Sequence, residues 1–399
     1  MPRCPTLRRP ATPTPKRPAT PTRKATPRFA RPHRVVVKVG SASLRADRGL
    51  ARKVLGGLVE QLAAVARGGS QVVLVSSGAV AAGMDDLGLS RRPVDLPTLQ
   101  ATASVGQGTL MHAYAEAFGG HGVPVGQVLL TPSDVTDRVR YLNARNTFER
   151  LLALGGVPVV NENDTVATDE LRFGDNDRLA ALVASMLGAG LLVLLSDVEG
   201  VLASDADGQR RVLERIDDPS EVVRYDHGGS SGVGTGGMVS KVEAVRVARF
   251  SGCHAVIAAA RRPGVVTEAV TGQAVGTWFP PSPQRPESRK LWIAFAKHPT
   301  GAVHVDTGAV EALVRGGKSL LAAGVTGVAG DFAAGDTVDV VGSDGALVAR
   351  GLVAVDRATL ERVRGRQQAE VAAVLGVDDP PELVHRDQLV VLDGRVRHA

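Results

Sequence analysis

The sequence predicts an α/β protein: an αβα sandwich with a mainly parallel sheet, followed by a small β-rich domain. From residue 34, short β-rich runs alternate with helix-length amphipathic stretches, which is the pattern of repeated strand–helix–strand units. A proline-rich break at residues 279–286 ends this alternation, and after residue 291 the runs become shorter, with Gly and Asp at the turns. We therefore expect three parts: a disordered basic arm over residues 1–33, a first domain over 34–285 and a second domain over 286–399.

The arm is the source of the positive charge of the chain. The net charge is +6, yet the first 33 residues hold nine Lys and Arg side chains and no acid, which leaves the remaining 366 residues at −3. Nine prolines and an imperfect Ala-Thr-Pro repeat prevent the arm from forming a helix or a packed core. A transit-like peptide or a polyanion-binding tail would have this composition. We favour a dispensable or untranslated extension.

The first domain is expected to contain six buried strands with helices between them. The strands are the Val-, Leu- and Ile-rich runs at residues 35–39, 71–75, 125–130, 157–161, 191–195 and 255–258. Helices are predicted at residues 50–66, 99–118, 141–154 and 238–250. In the second domain, strands are predicted at residues 303–305, 338–341, 347–355 and 389–392. In mainly parallel sheets such as the one predicted for the first domain, ligands bind at the carboxyl ends of the strands.

Composition and hydropathy also bear on location. The chain has 399 residues, of which 44% are hydrophobic, enough for more than one core. The two cysteines, Cys4 and Cys253, can form neither a disulfide framework nor a thiolate zinc cluster, which favours a reducing compartment. Residues 179–196 carry no charge over a length that could span a membrane, but Gly188 and Gly190 divide them into a helix and a strand. We expect a cytoplasmic protein without a membrane segment.

Two predicted strands end in residues that suit an anion. Lys38 lies inside the first strand, where its ammonium group needs a partner because an unpaired buried charge is costly. Alternatively, its side chain could reach solvent from an edge strand. The second strand ends in Ser76-Ser77-Gly78-Ala79, whose hydroxyl and N–H groups at a helix start can bind a carboxylate or a phosphate. An ordinary helix cap would look similar.

Two clusters of amides and acids follow the fourth strand. The first is Asn161-Glu-Asn-Asp164 and the second, at the start of the next helix, is Gly174-Asp-Asn-Asp177. Acids at a helix start can be simple caps, but two clusters within 17 residues exceed what capping requires. Their acceptors suit an α-amino group, which brings three donors, and the placement of a cationic catalytic residue.

A glycine-rich loop from Gly232 to Lys241 leads into the last predicted helix of the first domain, and it could close over phosphates or be only a loop. Its match to GxGxxG is weak, because no strand directly precedes it and no ribose-binding acid is suitably placed. The Walker spacing, zinc-ligand spacing and a Ser-His-Asp order are absent from the sequence. These absences disfavour a dinucleotide-binding fold and a hydrolase.

The combination of two lysines, helix-start loops and acid or amide clusters fits phosphoryl transfer better than hydride transfer. The migrating phosphoryl group has negative oxygens that must be neutralised, and it needs little covalent assistance. A carboxylate acceptor requires no general base, because a side chain of pKa ~4.3 is already ionised at neutral pH.

Residues 34 to about 390 resemble the bacterial glutamate 5-kinase family, in which an amino-acid kinase domain is followed by a PUA domain. The resemblance rests on motifs that occur in the family's order: Val37-Lys-Val-Gly40, Ser76-Ser-Gly-Ala79, Tyr141-Leu-Asn-Ala-Arg145, Asn161-Glu-Asn-Asp164, Gly174-Asp-Asn-Asp177, Ser196-Asp197, Gly234-Thr-Gly-Gly-Met-Val-Ser-Lys241 and Arg289-Lys-Leu-Trp-Ile293. The arm is a departure, since the family starts near the first strand. Serine also replaces the commoner threonine at Ser196 and Ser240, and both keep a hydroxyl.

The resemblance implies roles for some of the matching residues. Lys38 and Lys241 would contact the ATP phosphates and stabilise the transition state, with Asp177 holding both lysines in position. Glutamate would be bound by Ser77, Asp164 and Asn176, with Asp175 close by. The nucleotide would also be bound by Ser196, Asp197, Thr235, Gly236, Gly237, Met238, Val239 and Ser240. Mg²⁺ would bridge the β- and γ-phosphates, held by them and by water more than by protein.

The resemblance further implies partners. These are L-glutamate and ATP as substrates, proline as a feedback inhibitor, a homo-oligomer of the tetramer type and glutamate-5-semialdehyde dehydrogenase as a functional partner. Two alternatives stay open: an RNA-binding or RNA-modifying protein that uses the PUA-like domain and the arm, and a related kinase with another acceptor. Residues 289–399 hold 13 Lys and Arg against 14 Asp and Glu, which argues against bulk nucleic-acid binding.

Overall fold

The structure is a computed structural model, and it describes residues 27–46, 49–131, 134–135, 137–166, 176–204, 209–222, 235–283 and 299–392. The predicted fold class is confirmed: an αβα sandwich comes first and a small β-rich domain follows it. The boundary expected near residue 285 falls outside the described residues and stays a prediction. No helix in the described ranges is long and apolar enough to cross a bilayer.

The first domain is built on a seven-stranded sheet with the order β3-β4-β2-β1-β5-β8-β9. Its strands are β1 (Arg34–Val39), β2 (Gln71–Ser76), β3 (Val125–Leu130), β4 (Val157–Glu162), β5 (Leu191–Ser196), β8 (His254–Ala259) and β9 (Thr277–Phe279). All neighbours are parallel except β9, which is antiparallel to β8. Strands β6 (Leu202–Ser204) and β7 (Arg210–Val212) form a separate hairpin. The six strands expected from the sequence are present, each within one residue of its predicted ends.

Helices cover both faces of this sheet. They are α1 (Ser41–Leu44), α2 (Arg52–Arg67), α3 (Ala79–Asp86), α4 (Leu96–Gly119), α5 (Arg138–Ala153), α6 (Asn176–Met186), α7 (Thr235–Phe250) and α8 (Val265–Val270). Valines and leucines that alternate along the strands divide the core into two clusters, because successive side chains point to opposite faces of a sheet. We call them the α6 face, covered by α5, α6 and α7, and the α4 face, covered by α2, α4 and α8.

The second domain contains a five-stranded sheet with the order β11-β10-β12-β13-β14. Its elements are β10 (Gly301–Val305), α9 (Thr307–Val314), β11 (Val325–Gly330), β12 (Thr337–Val341), β13 (Leu347–Leu352), α10 (Arg357–Val363), α11 (Gln368–Leu375) and β14 (Leu389–Val391). Strands β10 and β12 are parallel and the other pairs are antiparallel. Val390 of β14 packs into the core of the α6 face, so the second domain contacts that helical layer.

Residues 28–33 cross the amino ends of the central strands, and we call them the amino-edge strap. Arg28 donates its backbone N–H to Gly272 and pairs with Glu214 at 3.1 Å. The ring of Phe29 stacks on His254 at 4.3 Å. Farther along, the Arg31 guanidinium donates to Ser70 Oγ at 3.1 Å. These contacts place the strap in the folded first domain, although the sequence assigns it to the disordered arm, whose residues 1–26 lie outside the described residues.

Candidate active site

The carboxyl ends of the parallel strands bring the predicted site residues to one edge of the sheet. Ser76 ends β2, Gly40 follows β1 and Ser196 ends β5, and these three strands are neighbours. Asn161 lies on β4, on the other side of β2. The edge therefore runs from the amide and acid cluster, through Lys38, to the serine and aspartate that follow β5.

Lys38, Asp177 and Lys241 form a buried ion-paired triad near the centre of this edge. Lys38 Nζ lies 2.6 Å from Asp177 Oδ1, and Lys241 Nζ lies 3.1 Å from Asp177 Oδ2. The three residues are 3%, 0% and 9% exposed. Two ammonium groups and one carboxylate leave one net positive charge in a region of low dielectric, which favours an anion beside them.

The local sequence explains why the triad forms. Lys38 is two residues from Val36, so both side chains lie on the α6 face of β1. Asp177 lies in the first turn of α6, and Lys241 lies in α7, which packs against α6. An acid in a first helical turn is stabilised by the helix dipole, which helps to keep a buried carboxylate ionised.

The start of α7 adds hydrogen bonds to the triad. Lys241 Nζ donates to the carbonyl oxygen of Gly237 at 3.1 Å, and Ser240 Oγ donates to Asp177 Oδ2 at 3.2 Å. A side chain at Gly237 would begin 3.9 Å from the Lys241 ammonium group. The first turn of α7 therefore keeps its backbone close to Lys241.

An amide network lies on the other side of Lys38. Asn176 Nδ2 is within donating distance of Asn161 Oδ1 at 2.8 Å, Ser77 Oγ at 2.9 Å and the carbonyl oxygen of Ser76 at 3.2 Å. Asn176 Oδ1 is buried and meets no donor among the described residues. A buried amide oxygen without a donor is costly, so a ligand that supplies an N–H group would satisfy it.

The end of β5 presents the residues expected for the nucleotide. Ser196 is buried and its hydroxyl donates to Asp197 Oδ1 at 2.9 Å, whereas Asp197 itself is exposed. The carbonyl oxygen of Ser196 accepts the N–H of Ala260, just past β8. Thus β5 and β8 end side by side next to the triad.

The other predicted residues have different placements. Asp164 is half-buried in the turn after β4. Met238 is half-buried and packs against the core, and Val239 is 61% exposed. Thr235 and Gly236 open α7, and only their helical backbone is described. Asp175 lies outside the described residues.

Two residues that hydrogen-bond to this edge of the sheet, Asn161 and Tyr114, are not among the site residues predicted from the sequence. The sequence places Asn161 only within a motif, and its position at the end of a strand is the signal that could have identified it. Tyr114 carried no signal, because it lies in the middle of a helix and 38 positions from its hydrogen-bond partner Ser76.

The described residues provide no group of three or more His, Cys, Asp or Glu side chains that could hold a metal ion. A magnesium site built mainly from protein ligands therefore does not fit these residues.

Comparisons with known proteins agree on one family. A model described as the amino acid kinase family matches residues 33–259, and one described as the PUA domain matches residues 301–375. The glutamate 5-kinase of Salinispora arenicola is 51% identical over 370 residues, covering 92% of this chain and 99% of that protein. That of Frankia casuarinae is 52% identical over 363 residues, with 90% and 96% covered, and that of Streptomyces coelicolor is 50% identical over 364 residues, with the same coverage.

Among solved structures, the UMP kinase from Bacillus anthracis matches with a TM-score of 0.43 and 15% identity, covering 62% of this chain and 96% of that one. The curated relatives are far more similar and span nearly the whole chain. This protein therefore belongs to the amino acid kinase family, in its glutamate 5-kinase branch with a C-terminal PUA domain.

Proposed function

We propose that this chain transfers the γ-phosphoryl group of ATP to the side-chain carboxylate of L-glutamate, giving L-glutamyl 5-phosphate and ADP, the first step of proline biosynthesis. The observation that carries the proposal is the triad of Lys38, Asp177 and Lys241, which concentrates positive charge between the amide network and the end of β5. The naming of the relatives as glutamate 5-kinases favours this reaction over RNA binding.

The chemical step needs charge stabilisation more than proton transfer. A glutamate carboxylate oxygen attacks the γ-phosphorus, the bond from that phosphorus to the bridging oxygen breaks, and ADP leaves with the electron pair. The acceptor is already ionised at neutral pH, since its pKa is ~4.3. Lys38 and Lys241 neutralise the equatorial oxygens of the migrating group, and Asp177 fixes the two ammonium groups in advance.

The amide network is the proposed glutamate site. Asn176 Oδ1 would accept from the α-ammonium group, and Ser77 and Asp164 would complete the recognition. Asp175 is proposed to lie close by. On the other side of Lys38, we assign the nucleotide to Lys38 itself, Ser196, Asp197 and the residues from Thr235 to Lys241. The proposal for Mg²⁺ is that it arrives with ATP, bound by phosphates and water.

An ADP-release assay with a panel of acceptors tests the reaction. Glutamate should support turnover far better than aspartate, N-acetylglutamate, carbamate or UMP, and omission of Mg²⁺ should abolish it. N-acetylglutamate is the sharpest comparison, because acetylation replaces the ammonium donors with one amide N–H and leaves the acceptor carboxylate unchanged. Equal turnover of glutamate and N-acetylglutamate would rule out recognition of the α-ammonium group as proposed, and no glutamate turnover would rule out the reaction.

We also propose, from the family resemblance, inhibition by proline, a tetramer, a dehydrogenase as functional partner and a cytoplasmic location. Proline should raise the KM for glutamate without changing that for ATP, which initial-rate kinetics would detect. Light scattering should give the mass of a tetramer. Added glutamate-5-semialdehyde dehydrogenase should draw off the labile acyl phosphate, and fractionation should place the chain in the cytoplasm. A salt-dependent gel shift that disappears without residues 1–33 would instead support RNA binding by the arm.

A further inference from the structure

We propose that Tyr114 is a positioning residue for glutamate, acting through the hydroxyl of Ser76, an inference that rests on the function proposed above. Tyr114 lies in α4, on the opposite face of the sheet from the lysines, and is fully buried among apolar side chains. Its Oη lies 2.8 Å from Ser76 Oγ, and Ser76 is fully buried as well. Phenylalanine would fill the same apolar space, so packing alone does not require the hydroxyl.

The direction of the hydrogen bonds links Tyr114 to the turn at Ser77, where glutamate is proposed to bind. Ser76 Oγ lies 3.0 Å from the carbonyl oxygen of Ser77, which can only accept, so the Ser76 hydroxyl donates there. The Tyr114 hydroxyl must then donate to Ser76 Oγ. The result is a buried chain from Tyr114 through Ser76 to the backbone of Ser77, and consecutive hydrogen bonds of this kind strengthen one another.

The same turn is held from the α6 face. Asn176 Nδ2 lies within donating distance of Ser77 Oγ and of the carbonyl oxygen of Ser76, and the N–H of Ser77 donates to Val39. Gly78, which follows, has a φ of 115°, a conformation that other residues rarely adopt. Besides this backbone bond to Val39, Ser77 has two opposing attachments, Asn176 on one face and Tyr114, through Ser76, on the other. Burial raises the pKa of Tyr114, so the phenol stays protonated and keeps donating across the working pH range.

Loss of the hydroxyl should affect glutamate and spare ATP. Without Tyr114 Oη, the Ser76 side chain can rotate, and Ser77 keeps only its attachments to Val39 and Asn176. Of the proposed nucleotide residues, Ser196 and Asp197 lie beyond β1, at the end of β5, where the Ser196 hydroxyl donates to Asp197. Lys38 and Lys241 are held on the α6 face by their ion pairs with Asp177. We expect the KM for glutamate to rise about fivefold, which is the effect of one net hydrogen bond, with the KM for ATP unchanged.

The experiment compares Tyr114→Phe, Ser76→Ala and the double variant with the wild type, in the full chain and at a temperature well below each Tm. Both single variants should raise the KM for glutamate to a similar extent, and the double variant should raise it no further, because all three break the same chain. Tyr141→Phe is the matched control: this half-buried tyrosine packs on the α6 face and should keep wild-type kinetics.

A purely structural role would give a different result. Tyr114→Phe would then lower the Tm and leave the KM for glutamate at the wild-type value, or it would raise both KM values together. Either outcome overturns the proposal, as does an additive double variant. Should one variant fail to fold, the other single variant still decides the matter. Glutamate turnover by the wild type is measured in the same assay, so failure of the reaction itself is seen separately.

Discussion

The carboxylate of Asp177 forms ion pairs with two ammonium groups, one through each oxygen. Each side chain of the triad comes from a different strand or helix. The sequence shows that Lys38 needs a partner, because a buried lysine cannot stay unpaired. It does not show which acid would pair with it, since Asp177 is 139 positions away. The pairing is tertiary, and only the family resemblance made it predictable.

Replacing Lys38 or Lys241 by alanine should lower kcat by about 100- to 1,000-fold, because each removes a group that stabilises charge in the transition state. The KM for glutamate should change little, since the amide network is intact. Lys53→Ala removes an exposed lysine of α2 and serves as the control. Steady-state kinetics on folded variants would refute the assignment if kcat were unchanged in both.

Glu149 should give a pH-dependent contribution to stability. The hydrogen bond from Arg34 lowers the pKa of this carboxyl below its usual 4.5, so its stabilising effect is present above that value and is lost as the pH falls through the lower folded-state pKa. Glu149→Gln should therefore lower the Tm at pH 7, and the difference from wild type should shrink below pH 4.5.

The matched control for Glu149 is Glu116→Gln, whose partner Arg52 is as exposed as Glu116 itself. Pairs of this kind contribute little, so its Tm should stay near that of the wild type at both pH values. Thermal melts would contradict the prediction if the Glu149→Gln difference were constant from pH 7 downwards.

At the scale of elements, α3 and α4 approach each other unusually closely. A Cβ atom at Gly83 would lie 1.9 Å from the carbonyl oxygen of Thr102, and one at Gly106 would lie 1.8 Å from that of Ala79. Both contacts are with backbone, which cannot move aside like a side chain. Because α3 begins directly after Ser77 and Gly78, this contact also helps to fix where the turn at Ser77 lies.

Gly83→Ala should destabilise the protein by about 1–3 kcal/mol, the usual effect of overpacking, and raise the KM for glutamate by shifting α3. Gly108→Ala is the control in α4, because a Cβ atom there meets nothing within 4 Å. It should be neutral or stabilising, since alanine favours a helix over glycine. Chemical denaturation measures both, and equal stability of the two variants would contradict the close approach.

The sequence predicted the long elements well and the short ones poorly. Six strands were found because buried parallel strands are continuous apolar runs between turns. Strand β9 has only three residues, beside the proline-rich break, and the sequence predicts no strand there. Strand β11 contains two glycines in six residues, which weakens any strand signal. Helix α3 was anticipated only as a helix start, because its small residues show little amphipathic pattern.

Across the whole molecule, the central sheet separates two tasks. The triad, proposed to neutralise charge, lies on the α6 face, and Tyr114, proposed to support the turn at Ser77, lies on the α4 face. Both reach the same edge because parallel strands end together. This arrangement follows from topology, so it was implied by the predicted fold, whereas the particular contacts were not.

Removal of residues 1–26 should leave Tm and kcat unchanged, because the contacts described for the first domain begin at Arg28. Removal of residues 1–33 should lower the Tm by several degrees, since the amino-edge strap then no longer covers His254 and Ser70. Thermal melts of the two truncated chains would contradict the prediction if both melted like the full chain.

The amino-edge strap also determines how the protein can be handled. It enters the fold at the ends of the strands where β1, β2, β5 and β8 begin, while the triad and the amide network lie where those strands end. An affinity tag or a surface linker joined just before residue 27 would thus attach the molecule by the side remote from the proposed substrate sites. Immobilised in this orientation, the protein should keep the sheet edge with the triad and the amide network accessible to the surrounding solution.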